Sequence, residues 1–119
     1  MSVVNVKVKY LRPKYSNIIE WINDKNNVYI GRKNIVIINN QRWPLKSSPF
    51  ANPFKVGKDG TREEVIKRYK IYIIDKIEKD SNLKKELLDL EGKNLGCWCK
   101  PESCHGDILI ELIEKYKFE

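Results

Sequence analysis

A chain of 119 residues, 41% hydrophobic and 33% charged, has the size and composition of one globular domain and is too apolar for a disordered segment. No apolar run approaches the ~18 residues that a membrane span requires. The net charge of +7 is unevenly placed, since residues 1–60 hold 11 Lys/Arg against 3 Asp/Glu, a net of +8, while residues 61–119 hold 12 against 13, a net of −1.

Residues 2–9 alternate and are rich in Val, so they read as a first strand without the form of a signal peptide. Ser16 can cap a short helix reaching Asn23, with Ile18, Ile19 and Ile22 on one side. Residues 28–32 and 34–38 read as two further strands, and Asn39-Asn40 as a turn. A loop over residues 41–60 follows and carries three of the five prolines. Loops of this length inside compact domains are uncommon and often functional. Thr61 and Glu64 form a capping box, and the helix they open runs to about Lys79 with Val65, Ile66, Tyr69, Ile73 and Ile77 on one face. Ser81 can cap another helix that reaches Leu90 and stops at Gly92. Residues 94–99 read as a buried strand. A last helix starts near Ser103 or Cys104, with Ile108, Leu109, Leu112, Ile113 and Tyr116 as its apolar stripe. This order predicts a single compact α/β domain over residues 1–119, a mixed β-sheet with helices packed on it.

The chemistry concentrates in Cys97-Trp98-Cys99-Lys100-Pro101-Glu102-Ser103-Cys104-His105-Gly106-Asp107. Three cysteines within eight residues are not a disulfide framework, and they point to a reducing compartment. As a strand–turn–helix, the segment places Cys97 and Cys99 on one face of the strand end, with Pro101 stiffening the turn. Cys104, His105 and Asp107 then occupy the first helical turn, where unpaired N–H groups favour negative charge. Four readings follow. In the first, Cys97, Cys99, Cys104 and His105 bind a metal, zinc before iron–sulfur. Neighbouring residues 104 and 105 point about 100° apart on a helix, so Asp107 or a ligand from elsewhere could replace His105. In the second, Cys104 or Cys99 is a reactive thiol with His105, the one histidine, as base or orienting group beside Asp107. In the third, the helix N-terminus holds a phosphate with help from Arg32 or Lys93. In the fourth, the cysteines are small buried hydrophobes and the histidine completes a hydrogen-bond network.

The 41–60 loop interleaves basic and aromatic residues, a mixture suited to phosphate contact and base stacking, although Trp43, Phe50 and Phe54 equally suit loop anchors. Asn52 before Pro53 is a polar amide held in extended backbone, a device for orienting a ligand. Arg32, Ser48, Asn52, Arg62 and Lys93 are the candidate ligand-binding residues. The sequence contains no Walker loop, G-x-G-x-x-G, H-E-x-x-H or serine-hydrolase elbow.

Over residues 28–116 the chain resembles the small family called domain of unknown function 4326, found in bacteria, archaea and viruses. The resemblance rests on Tyr29-Ile30-Gly31-Arg32, on Ser48-Pro49-Phe50-Ala51-Asn52-Pro53-Phe54, on Gly60-Thr61-Arg62 and on the C-W-C-x-P-x-x-C-H-G-D string at 97–107. It implies a shared site at Arg32, Asn52, Cys97, Cys99, Cys104, His105 and Asp107, and it supplies no activity. Residues 1–27 fall outside it, as an added strand and short helix.

The leading expectation is that Arg32, Asn52 and the cysteine turn converge at one edge of the sheet. There they would bind a phosphate-bearing ligand, a nucleotide or nucleic acid, and use metal or thiol chemistry. One alternative is a non-enzymatic nucleic-acid-binding module with a structural zinc. Another is a viral or microbial interaction protein with core cysteines and a basic half that is only a solvated, lysine-rich surface. The expected location is the cytoplasm, the host's if the source is viral, with no membrane partner. The sequence leaves enzymatic activity and oligomeric state open.

Overall fold

In the computed structural model, which describes residues 2–33, 36–38, 40–100 and 102–118, the chain runs in order through β1 (Ser2–Asn5), α1 (Val8–Leu11), α2 (Ile18–Asn23), β2 (Asn27–Tyr29), β3 (Val36–Ile38), β4 (Gln41–Trp43), α3 (Arg62–Lys79), α4 (Ser81–Leu88), β5 (Asn94–Cys97) and α5 (His105–Tyr116). Three strands form a parallel sheet in the order β1-β5-β2. The register pairs Ser2 with Asn94 through Asn5 with Cys97 on one side, and Asn27 with Asn94 through Tyr29 with Gly96 on the other. Parallel strands need crossover connections, and helices supply them: α1 and α2 lie between β1 and β2, and α3 and α4 lie between β2 and β5. The last strand of the sequence is therefore the centre of the sheet. β3 and β4 pair antiparallel as a separate hairpin, and Asn40 at its turn has φ 66°, which Asn tolerates better than most residues. Parallel and antiparallel strands are both present, and the α/β class expected from the sequence holds.

Strand alternation divides the interior into two cores. Leu95, Cys97, Val28, Ile30 and Val3 join Tyr69, Ile73 and Ile77 of α3, Leu83 and Leu87 of α4, and Leu109, Leu112 and Ile113 of α5. Val4, Val6, Tyr29 and Trp98 join Leu11 of α1 and Ile18 and Trp21 of α2, with Ile38 and Trp43 of the hairpin packed alongside. The sheet thus lies between a layer of α3, α4 and α5 and a layer of α1, α2 and the hairpin. Gly96 is the point of closest approach, because a Cβ there would sit 2.4 Å from the Trp21 ring. Among the described residues no helix is long and apolar enough to cross a membrane.

The Thr61–Glu64 capping box and the helix to Lys79 form as the sequence predicts, and so does the α5 stripe. Other boundaries differ. The first strand stops at Asn5, whose Oδ1 accepts a hydrogen bond from Lys7 N at 2.9 Å; the chain turns there, and residues 8–11 coil into α1. The caps of α2 and α4 are Asn17 and Asp80, each one residue before or after the serine expected. The second strand ends at Tyr29 and the 94–99 strand at Cys97, so Arg32 and Cys99 both lie just beyond strand ends. The first three residues of the expected loop form β4. Asn34, Ile35, Asn39 and Pro101, read as strand, turn and stiffener, lie outside the described residues.

Candidate metal centre

The site is built where the central strand runs out and α5 begins. Cys97 closes β5, and Cys104 is the N-cap of α5. Cys104 caps in the manner of a serine: its Sγ accepts from Gly106 N at 3.4 Å, and Asp107 reaches back to accept from Cys104 N at 3.2 Å. Asp107 also pairs with Lys100 Nζ at 2.8 Å. A Cβ on Gly106 would lie 2.8 Å from Val3 and 2.9 Å from Ile30, so only glycine lets the helix start sit directly on the sheet. From the other side, buried Asn5 donates from Nδ2 to the carbonyls of Trp98 and Lys100, while its Oδ1 holds Lys7 N.

This framework gathers the three cysteines. Their Sγ atoms all lie within 4.8 Å of one another; Cys97 and Cys104 are buried, and Cys99 is half-buried. All three are free thiols. A tetrahedral zinc with Zn–S bonds of about 2.3 Å spaces its sulfurs about 3.8 Å apart, so a contraction of about an ångström or less would close the trio on one ion. The thiols titrate as a set. Cys99 is held well below the usual thiol range, first by hydrogen bonding to Cys104 and Cys97 and then by the Arg62 guanidinium. Cys104 is pushed up because it faces Cys97 and Cys99 and is buried. Of the three thiols, Cys99 is the one that the Arg62 guanidinium favours as thiolate.

His105 stands behind the cluster. Its Nε2 lies 2.8 Å from the Ile30 carbonyl, which only accepts, so Nε2 carries the proton. The unprotonated Nδ1 then faces Cys104 Sγ at 3.5 Å. The ring packs edge-on against Tyr69 with centroids 5.0 Å apart, and burial lowers the His105 pKa, which favours the neutral form. The close-set group of potential ligands comprises the three sulfurs, with His105 buttressing one of them.

A cavity of about 100 Å³ opens beside the cluster, lined among others by Arg32, Asn52, Arg62, Cys97, Cys99 and His105, and by no acidic residue among those described. The structure thus brings together most of the residues that the sequence singles out. The Arg32 guanidinium has no hydrogen bond or ion pair among the described residues, whereas Arg62 donates to the Ser103 carbonyl at 3.2 Å and lies 4.0 Å from Glu102. Asn52 spends Oδ1 on Phe54 N and one Nδ2 hydrogen on the Val65 carbonyl, tying the loop to α3. Ser48 serves a turn: it donates its N–H to the Gly31 carbonyl and accepts from Phe50 N, away from the cavity lining. Lys93 precedes β5 at the opposite end of the strand from Cys97 and donates to the Lys25 carbonyl. Sequence reasoning missed Asn5, Tyr29 and Tyr69. Tyr29 OH accepts from Trp98 Nε1 at 2.7 Å, and Tyr69 OH donates to the Phe50 carbonyl at 2.6 Å. These contacts join residues far apart in the chain, and no local spacing announces them.

Fold and site together define a small α/β protein with a three-cysteine cluster at the carboxyl edge of a parallel sheet. The chain belongs to the family described as Domain of unknown function (DUF4326), whose model matches residues 14–115. The match begins ahead of the 28–116 resemblance and takes in α2. The chain is 37% identical over 103 residues to the uncharacterized protein R718 of Acanthamoeba polyphaga mimivirus, which covers 77% of this chain and 72% of that protein. It is 43% identical over 61 residues to an uncharacterized 12.4 kDa protein in the nrdA-td intergenic region of Enterobacteria phage T4, covering 50% of this chain and 56% of that one. No solved structure matches the chain.

Proposed function

We propose that Cys97, Cys99 and Cys104 hold one zinc ion whose fourth position opens on the Arg32–Arg62 cavity, and that a small phosphate-bearing group binds there. The observation that carries this reading is the grouping of three sulfurs within 4.8 Å, two of which, those of Cys97 and Cys99, belong to residues lining a cavity that also holds two arginines and, among the described residues, no carboxylate. Thiolates are soft ligands suited to zinc or to iron–sulfur clusters. Structural zinc sites are closed by four protein ligands, whereas sites that do chemistry keep one position free. At about 100 Å³ the cavity is smaller than the ~300–1,000 Å³ of typical small-molecule sites. It therefore suits one phosphate group rather than a whole nucleotide. Arg32 and Arg62 would bind the anion, and Asn52 has a second Nδ2 hydrogen to offer it. His105 and Asn5 would hold the cysteine segment in place. A bound zinc would supply Lewis acidity at the open position. Free thiols of this density also fit the cytoplasm.

Elemental analysis of natively purified protein tests the proposal. About one zinc per chain is expected, lost in Cys97→Ser and in Cys104→Ser. Iron with matching acid-labile sulfide would replace zinc by a cluster on the same ligands. The lowered pKa of half-buried Cys99 favours a second reading, a reactive thiolate. Protein without metal whose Cys99 is alkylated rapidly at neutral pH would establish that reading in place of the first.

A further inference from the structure

A second concavity lies on the other side of Trp98, between the β1–α1 turn, the start of α2 and β3. It has a volume of about 410 Å³ and is lined by residues that include Lys7, Val8, Arg12, Ile18, Ile37 and Trp98. That volume falls within the range of sites that take a nucleotide-sized molecule, about four times that of the cysteine cavity. Apart from Lys7, Arg12, Ser16 and Asn17 the lining is apolar, and two of its residues stand well out of the core, Val8 at 39% and Ile37 at 66% exposure. Lys7 and Arg12 are exposed at its rim, neither paired with a carboxylate among the described residues. Among the described residues no acidic one lines the groove. The surrounding sequence is as one-sided: the first acidic residue of the chain is Glu20, and residues 25–58 hold seven Lys/Arg and no Asp/Glu.

We infer that this groove docks single-stranded nucleic acid, with a base on the apolar floor and its phosphates on Lys7 and Arg12. A purely apolar partner would leave the unpaired cations without a role, and a small anion would leave the apolar walls without one. A nucleotide uses both, and its base is free to enter only when it is unstacked from a duplex. Trp98 lines both the groove and the cysteine cavity and is fixed by its hydrogen bond to Tyr29 OH. A strand passing over it is led from one to the other. That one of the strand's phosphates reaches the cysteine cavity rests on the function proposed above; docking in the groove does not.

The test is fluorescence anisotropy with a labelled oligothymidylate about 12 nucleotides long. The expected result is binding that weakens steeply between about 50 and 200 mM salt. The Lys7→Glu/Arg12→Glu double variant should weaken it at least about tenfold and flatten the salt slope by about 1.4, since each single-strand phosphate contact contributes about 0.7. Ile37→Asp, at an exposed wall position, should weaken it as well. Lys79→Glu, on the exposed end of α3, should leave it unchanged. Absence of binding at low salt, equal affinity for the duplex of the same sequence, or native affinity in the double variant would overturn the inference. Binding retained after chelation upholds docking even if no metal function exists. Metal-loaded protein that ignores the oligonucleotide removes docking and leaves the metal centre standing.

Discussion

Asn5 is a buried amide that uses both its ends on the functional segment. Nδ2 donates to the carbonyls of Trp98 and Lys100, and Oδ1 accepts from Lys7 N. Asn5→Asp preserves size and the bond to Lys7 but cannot donate, so a carboxylate would face two carbonyl oxygens. Leaving such groups unsatisfied costs about 1–3 kcal/mol, more for a charge. Asn5→Asp should therefore lower the urea midpoint and, in protein loaded with the proposed zinc, release the metal to a competing chelator more readily than the native chain. A variant with native midpoint and native metal retention would show that Asn5 does not hold the segment. The sequence does not announce this role, because the contact spans more than 90 residues and exists only once Asn5 pairs with Cys97 across the parallel sheet. The cysteines themselves are readable, since their spacing is local and a strand end followed by a helix start brings them together whatever the rest of the chain does.

At the scale of elements, readability follows how local the determining contacts are. The Thr61–Glu64 box lies within four residues, and the α3 stripe repeats along one helix, so the box and Val65, Tyr69, Ile73 and Ile77 of the stripe stand in the fold as in the sequence, while Ile66 is half-buried at the cavity. Val6-Lys7-Val8-Lys9 alternates like a strand, yet Asn5 captures Lys7 N and ends the pairing, so tertiary context overrides the pattern. β4 escapes notice because three residues show almost no periodicity, and its strand character depends on β3 alone. Choosing Asn17 over Ser16 and Asp80 over Ser81 is a matter of which neighbour has the extended backbone of an N-cap, which composition does not reveal. Gly96 marks an element contact that sequence also hides. Gly96→Ala would place a Cβ 2.4 Å from the Trp21 ring and 2.8 Å from Val6. Overpacking of this kind costs about 1–3 kcal/mol, and here it would push α2 off the central strand. The substitution should lower the urea midpoint with an unchanged slope; native stability would mean that Trp21 moves aside freely.

For the whole molecule, the question is how much of the fold depends on a metal. The three sulfurs join only Cys97 and Cys104 with the turn between them, a closure of eight residues at one edge. The larger core includes Cys97 and Cys104 but extends well past them, through Ile73 and Ile77 of α3, Leu83 and Leu87 of α4, and Leu112 and Tyr116 of α5. The second core, on Trp21 and Leu11, contains no cysteine. A domain of this length buries enough surface to stand without a staple. Metal bound to the native state alone stabilises it by mass action, about 4 kcal/mol at a thousandfold excess over Kd. Chelation should therefore lower the melting temperature while the far-UV circular dichroism at 25 °C stays that of the folded chain. Structural zinc modules behave differently, because metal binding is their folding free energy and chelators denature them. Loss of the helical signal on chelation would thus identify a structural zinc and take away the argument for an open fourth position. A fold that survives chelation would leave the cluster free for the binding and chemistry proposed for it.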